Sequence, residues 1–221
     1  EDSWFEGMMD DSINISVTPY WVKEDLGDNR YLIAKRGSMP AVGDELMAFT
    51  PSAGQIHTGI EVLALEQQKA RRKGVFTIAT LSQAIPDLAL HRGNNLFPGG
   101  RDKLSMTGLY NRDAAGDGYI VRNNYFGPQR RHALLARGRG GLFEGNTVEG
   151  INGHGVVLGN EIGSFYEGPV PGDTVIRDNT FKRTLNNPIN IYARGSGVQV
   201  ENITIENNRF LEWRRAAIRL S

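Results

Sequence analysis

Cysteine is absent from the 221 residues, which excludes disulfides, thiolate-held zinc and a thiol nucleophile and leaves the compartment open. Net charge is missing as well: 25 Lys and Arg balance 25 Asp and Glu. No global field therefore draws in nucleic acid or an anionic membrane, and neither is expected as a partner. No apolar run approaches the roughly 18 residues that a membrane-spanning helix needs. Helical periodicity is scarce too. Glycine is plentiful, at 27 residues, as a chain of short strands and tight turns requires.

The pattern that stands out is an asparagine followed by an apolar residue: NNYF at 123–126, GNTV at 145–148, DNTF at 178–181 and NNRF at 207–210. The anchors Asn124, Asn146, Asn179 and Asn208 are 22, 33 and 29 residues apart. A phrase returning at such a period marks a stacked repeat. Each anchor follows a short apolar stretch, and a second such stretch comes nine or ten residues later, as in Ala133 to Leu135 and Ile189 to Ile191. Short strands without helical periodicity predict an all-β right-handed parallel β-helix, a solenoid. Asparagine suits the corners, because it tolerates left-handed backbone and its amide can bond nearby backbone or the amide of the next repeat. The Phe that follows can turn inward and stack.

Four segments follow from the change of pattern along the chain. Residues 1–16 read as one coil, with Ile13 and Ile15 alternating with Ser12, Asn14 and Ser16. Residues 17–90 hold longer alternating strands between turn signals and predict an inserted small antiparallel β-barrel. Residues 91–118 read as a Gly/Asp/Asn-rich return loop, and residues 119–221 as further coils. The basic run Lys69, Arg71, Arg72 and Lys73 falls at an expected hairpin tip. The chain begins at Glu1 and is in an apolar stretch by Trp4, with no capping segment before it; since an open coil end is an exposed sheet edge, upstream coils are expected to be missing.

Chemistry concentrates in Met9-Asp10-Asp11-Ser12-Ile13-Asn14-Ile15. Adjacent carboxylates entering a strand repel each other, and one pKa should rise. That asymmetry suits glycoside hydrolysis, where one carboxyl protonates the leaving oxygen and another activates water. The same pair also suits a calcium site or a capped turn. If the strand phases hold, Asp11, Arg131, His154 with Glu161, and Asn190 with Tyr192 and Arg194 line one strip of stacked strands about 4.8 Å apart. Glu161, Tyr166 and Glu167 lie on a long loop of the kind that carries function, and Tyr166 could offer sugars a flat apolar face.

These strings, in this order, resemble the β-helix α-galactosidases of glycoside hydrolase family 110. The resemblance runs through MDDSINIS, the β-rich insert and RNNYFGPQRRHALLARGRGGLFEGNTVEGINGHGVVLGNEIG. It implies an inverting exo-hydrolase acting on terminal α-1,3-linked galactose, independent of metal and without cofactor. By position Asp10 and Asp11 match the catalytic aspartates that act as base, with the acid either at Glu161 or in a neighbouring upstream coil. Asn14, Arg131, His154, Tyr166, Glu167, Asn190 and Arg194 are then the expected substrate-binding residues. Two departures touch sugar specificity: Arg130-Arg131-His132-Ala133 replaces an Arg-x-Arg-Gly pattern, and the 160–167 loop lacks an expected Trp. The expected partner is an oligosaccharide or polysaccharide, with room for a homo-oligomer or association with the missing N-terminal part. An external glycan implies a secreted or periplasmic location. A polysaccharide lyase, using Arg131, His132 or Arg194 with the aspartates on calcium, and a non-catalytic glycan-binding β-helix are the alternatives from other classes.

Overall fold

The computed structural model describes every residue except 36–37, 68–73, 93–103 and 164. The basic run at Lys69, Arg71, Arg72 and Lys73 lies outside the described residues. All named elements among the described residues are strands. The chain opens with β1 (Trp4–Phe5) and β2 (Ile13–Ile15). It continues through β3 (Tyr20–Asp25), β4 (Arg30–Lys35), β5 (Glu45–Thr50), β6 (Gln55–Gln67), β7 (Val75–Leu81) and β8 (Gly108–Asn111). Strands then come in threes: β9 (Ile120–Arg122), β10 (Tyr125–Phe126) and β11 (Leu134–Ala136); β12 (Leu142–Glu144), β13 (Thr147–Glu149) and β14 (Val156–Gly159). The last two sets are β15 (Gly172–Arg177), β16 (Thr180–Lys182) and β17 (Ile189–Tyr192), then β18 (Glu201–Glu206), β19 (Arg209–Leu211) and β20 (Ile218–Leu220).

Strands β3 to β8 close into an antiparallel barrel in the order β3-β4-β7-β6-β5-β8. The others form three parallel sheets, β1-β10-β13-β16-β19, β2-β11-β14-β17-β20 and β18-β15-β12-β9. The expectation of a right-handed parallel β-helix is corrected by this topology. The chain is all-β, but its parallel strands are hydrogen-bonded into three separate sheets that do not form a solenoid, and the closed unit is the barrel. The recurring phrase marks where a strand is delivered to each sheet, which a sequence cannot distinguish from continuous winding. The third sheet also has no strand from ahead of the barrel, since the chain enters the barrel directly after β2.

The asparagines form a ladder. Asn146 Oδ1 accepts from the backbone N–H and the Nδ2 of Asn124, at 2.8 and 3.0 Å, while its own Nδ2 donates to Val121 O and Asn179 Oδ1, at 2.9 and 3.1 Å. Asn179 repeats the pattern with Asn208. Beside the ladder, Phe5, Phe126, Phe143, Phe181 and Phe210 stack with ring centroids 4.9 to 6.4 Å apart. Where the first sheet supplies Val148 instead of Phe, Phe143 of the third sheet fills the gap between Phe126 and Phe181. Because each buried polar group left without a partner costs about 1–3 kcal/mol, Asn146→Ala should lower the unfolding free energy by about 3 kcal/mol or more. Urea denaturation measures this, and a loss under about 1 kcal/mol would show that the ladder is not what holds the repeats together.

The barrel docks on the parallel sheets through a second apolar cluster of Val17, Met47, Phe49, Tyr110, Ala115, Ile162 and Val170. Val17 and Gly168 exchange backbone hydrogen bonds of 3.0 and 2.9 Å. Trp21 of β3 meets the Tyr166 ring edge-on at 5.2 Å. The barrel therefore supports Ile162, Tyr166 and Gly168, between which Glu167 reaches Asn14 of the second sheet.

Candidate active site

The outer face of the second sheet gathers most of the polar residues singled out from sequence. One row, aligned by strand pairing, runs Asn14, Leu135, Val157, Asn190, Arg219. A second row lies at the bends just before the strands and runs Asp11, His132, His154, Asn187. It is joined by hydrogen bonds: the His132 N–H donates to Asp11 Oδ1 (3.2 Å), the His154 N–H to His132 Nδ1 (2.8 Å), and His154 Nδ1 bonds Asn187 O (3.2 Å).

The two aspartates separate at the bend entering β2. Asp10 is 85% exposed and accepts the Asp11 N–H at 3.0 Å, whereas the Asp11 side chain is only 9% exposed. Arg131 Nε lies 3.6 Å from Asp10 and 3.9 Å from Asp11, so both converge on one guanidinium. Burial pushes the Asp11 carboxyl above the ordinary aspartate range; the His132 N–H and Arg131 oppose that rise, and the charges of Asp10 and Glu167 add to it. The rise expected from repulsion is present, but its main cause is burial.

Glu167 comes onto this face from the loop. Its Oε1 accepts from Asn14 Nδ2 at 3.4 Å, and its Oε2 pairs with Arg137 at 2.7 Å. Arg137, which sequence reasoning missed, is 2% exposed, and its Nη1 donates to Gly159 O at 2.8 Å. The available signal was an arginine directly after the apolar Leu134–Ala136, at the end of a strand that has to be buried.

Glu161 is oriented differently. Its Oε1 accepts the Gly163 N–H (2.6 Å) and its Oε2 those of Phe165 (2.7 Å) and Tyr166 (3.2 Å), with Arg194 Nη1 at 3.5 Å from Oε1. A carboxylate held by three backbone donors folds its own loop. Tyr166 points its ring at Trp21 of the barrel.

Past His154 a cavity of about 370 Å³ opens, lined by His132, His154, Asn190, Tyr192, Arg194 and Arg219 among others. The glycines flanking His154 are required by close packing: a Cβ on Gly153 would stand 2.6 Å from the Arg131 carbonyl, and one on Gly155 2.6 Å from Pro188 O. Gly159 lies against the Tyr192 ring, 2.6 Å from where its Cβ would be, and the Arg194 guanidinium covers that ring at 5.4 Å. Tyr192 thus offers its edge to the cavity. Burial, above all, holds both histidines below their usual range, His132 at about 4.

Asp10, Asp11, Arg131, Asn14 and Glu167 are therefore neighbours, His154, Asn190 and Arg194 border the adjoining cavity, and Glu161 and Tyr166 shape the loop. No protein-family model matches the chain. Over 230 residues it is 28% identical to a protein named Alpha-1,3-galactosidase B from Akkermansia muciniphila, a match that covers 95% of this chain and 27% of that protein. The chain thus spans about a quarter of the length of that relative.

Proposed function

We infer that this protein is a glycoside hydrolase of galactosidase type that removes terminal α-linked galactose from an external glycan with inversion, in a secreted or periplasmic setting. The observation that carries the reading is Asp11, a carboxyl made more basic by burial at the head of a polar row long enough for a sugar or two. The likeness to an α-1,3-galactosidase supports it.

In this reading Asp11, with Asp10 beside it and Arg131 holding both, takes the proton of the water that attacks the anomeric carbon. A raised pKa favours that role, since proton transfer is most efficient when the base's pKa lies close to working pH. Glu167, fixed by Arg137, supplies standing negative charge against the oxocarbenium-like transition state. The leaving oxygen takes its proton from a carboxyl on the opposite side of the bond. Glu161 keeps the loop in place.

The test is product release from a panel of terminal α- and β-galactosides and acidic galactans, comparing the protein with its Asp10→Asn and Asp11→Asn variants, with and without a calcium chelator. Galactose freed from α-galactosides only, lost in Asp11→Asn and indifferent to chelation, is the expected result. Chelator-sensitive ultraviolet absorbance of an unsaturated uronate would instead establish a lyase, and glycan binding with no turnover would establish a binding protein.

A further inference from the structure

We propose that the cavity past His154 is the subsite for the sugar on the leaving side of the scissile bond, and that His132 and His154 read two of its neighbouring hydroxyls as an uncharged donor–acceptor pair. This rests on the glycosidase reading above.

Backbone hydrogen bonds fix the tautomers. The His154 N–H can only donate, so His132 Nδ1 must accept, and the neutral ring carries its proton on Nε2. Asn187 O can only accept, so His154 Nδ1 must donate, and the neutral ring keeps its lone pair on Nε2. The rings stack at a centroid distance of 5.2 Å and an interplanar angle of 26°. Both rings use Nδ1 for these bonds, and Nε2 is the remaining polar atom of each. The cavity is thus presented with one N–H donor and one ring acceptor about a strand spacing apart, complementary to two hydroxyls on adjacent sugar carbons.

A second, independent observation points to a ligand. Asn190 is 8% exposed, lines the same cavity, and its Oδ1 has no partner among the described residues. A buried acceptor left without a donor is costly unless a hydroxyl or water occupies the space. Position assigns the subsite to the leaving side. Asp11, Asn14 and Glu167, the groups given above to the reacting sugar, lie at the other end, while the row runs on from His132 into the open cavity. Because both histidines are held uncharged by burial, their donor and acceptor roles do not exchange at neutral pH.

His132→Asn tests this, since the asparagine Oδ1 can still accept the His154 N–H while the outward Nε2–H is removed. Affinity for a galactosyl disaccharide is measured by calorimetry in the Asp11→Asn background, together with mono-deoxy analogues altered in the second sugar. In the otherwise intact protein, kcat/KM is compared between the disaccharide and an aryl α-galactoside that lacks the second sugar. His132→Asn should weaken disaccharide binding roughly tenfold, lose less on the aryl substrate, and bind one deoxy analogue as well as the unsubstituted parent does. Unchanged disaccharide affinity, or an equal loss on every ligand, overturns the subsite. Failure of the parent to hydrolyse any aryl α-galactoside would overturn the galactosidase reading instead, and a His132-dependent affinity for the disaccharide would still be read directly.

Discussion

Replacing Asp11 by asparagine is expected to lower kcat on α-galactosides by about 10²–10⁴-fold, the usual contribution of a positioned acid–base group, and at the same time to raise the melting temperature near neutral pH. A base that activates water is needed whatever the leaving group, so the loss should be as large on an aryl galactoside as on a disaccharide. The stability change has the opposite sign because burial holds the Asp11 carboxyl above its unfolded value of 3.8. The folded state then binds the proton more tightly than the unfolded chain. The resulting stabilisation is fully present below pH 3.8 and is lost as pH rises through the folded value. At neutral pH the wild type keeps a charge in a mostly buried position, while asparagine keeps the bond from the His132 N–H without the charge. The melting difference between variant and wild type should be positive at pH 7 and vanish below pH 3.8. His132 contributes in the reverse direction: its pKa of about 4 against an ordinary 6.5 makes stability complete above pH 6.5 and reduces it as pH falls towards 4. That slope is common to both proteins and cancels in the difference. Equal melting temperatures at pH 7 would mean that Asp11 is solvated, and with it the argument for its basicity would fall.

Arg137→Met is expected to lower stability and activity together. The arginine is 2% exposed and holds both Glu167 and the Gly159 carbonyl. Breaking a buried pair by removing one partner costs about 3–5 kcal/mol, because the other charge is left without compensation. Glu167 keeps some contact with solvent, so the lower end, about 3 kcal/mol, is expected. Activity should fall as well, since Glu167 loses the anchor that aims it across Asn14. Removing both charges in Arg137→Met/Glu167→Gln should recover part of the stability but none of the activity, and a double-mutant cycle in urea reads the coupling. Additive losses would show that the pair is not coupled, leaving Glu167 without a fixed position in the site.

The residues that serve the fold by repetition were legible in the sequence. Asn124, Asn146, Asn179 and Asn208 recur because each must bond the next, and the apolar residue two places on, Phe126, Val148, Phe181 or Phe210, turns inward to pack in the core. The larger architecture was not legible. A repeat reports that strands stack, and the same phrase fits a solenoid or separate parallel sheets; the partition among sheets depends on which short strands pair, and the strands of two to six residues outside the barrel carry too little pattern to say. In the site, Asp10-Asp11 stood out as two charges where a strand should begin, but the contacts that distinguish them come from Arg131 and from the His132 N–H at the neighbouring bend. The 160–167 loop offered two glutamates. Which one faces the sheet is decided by three backbone N–H groups folding around Glu161 and by an arginine 30 residues before Glu167, a pairing that no local pattern encodes. His132 was visible as an intrusion into a basic run, and its use became apparent only once the backbone N–H of His154, at the next bend, fixed its proton.

The most direct test of the account is the proton NMR spectrum of the first sugar released from an α-galactoside, recorded before mutarotation, for the protein and for Asp11→Asn. A β-galactose signal that appears first and is lost in the variant is the result expected of water attack with Asp11 as base. Release of α-galactose first, or of any galactose at an undiminished rate from Asp11→Asn, would contradict it.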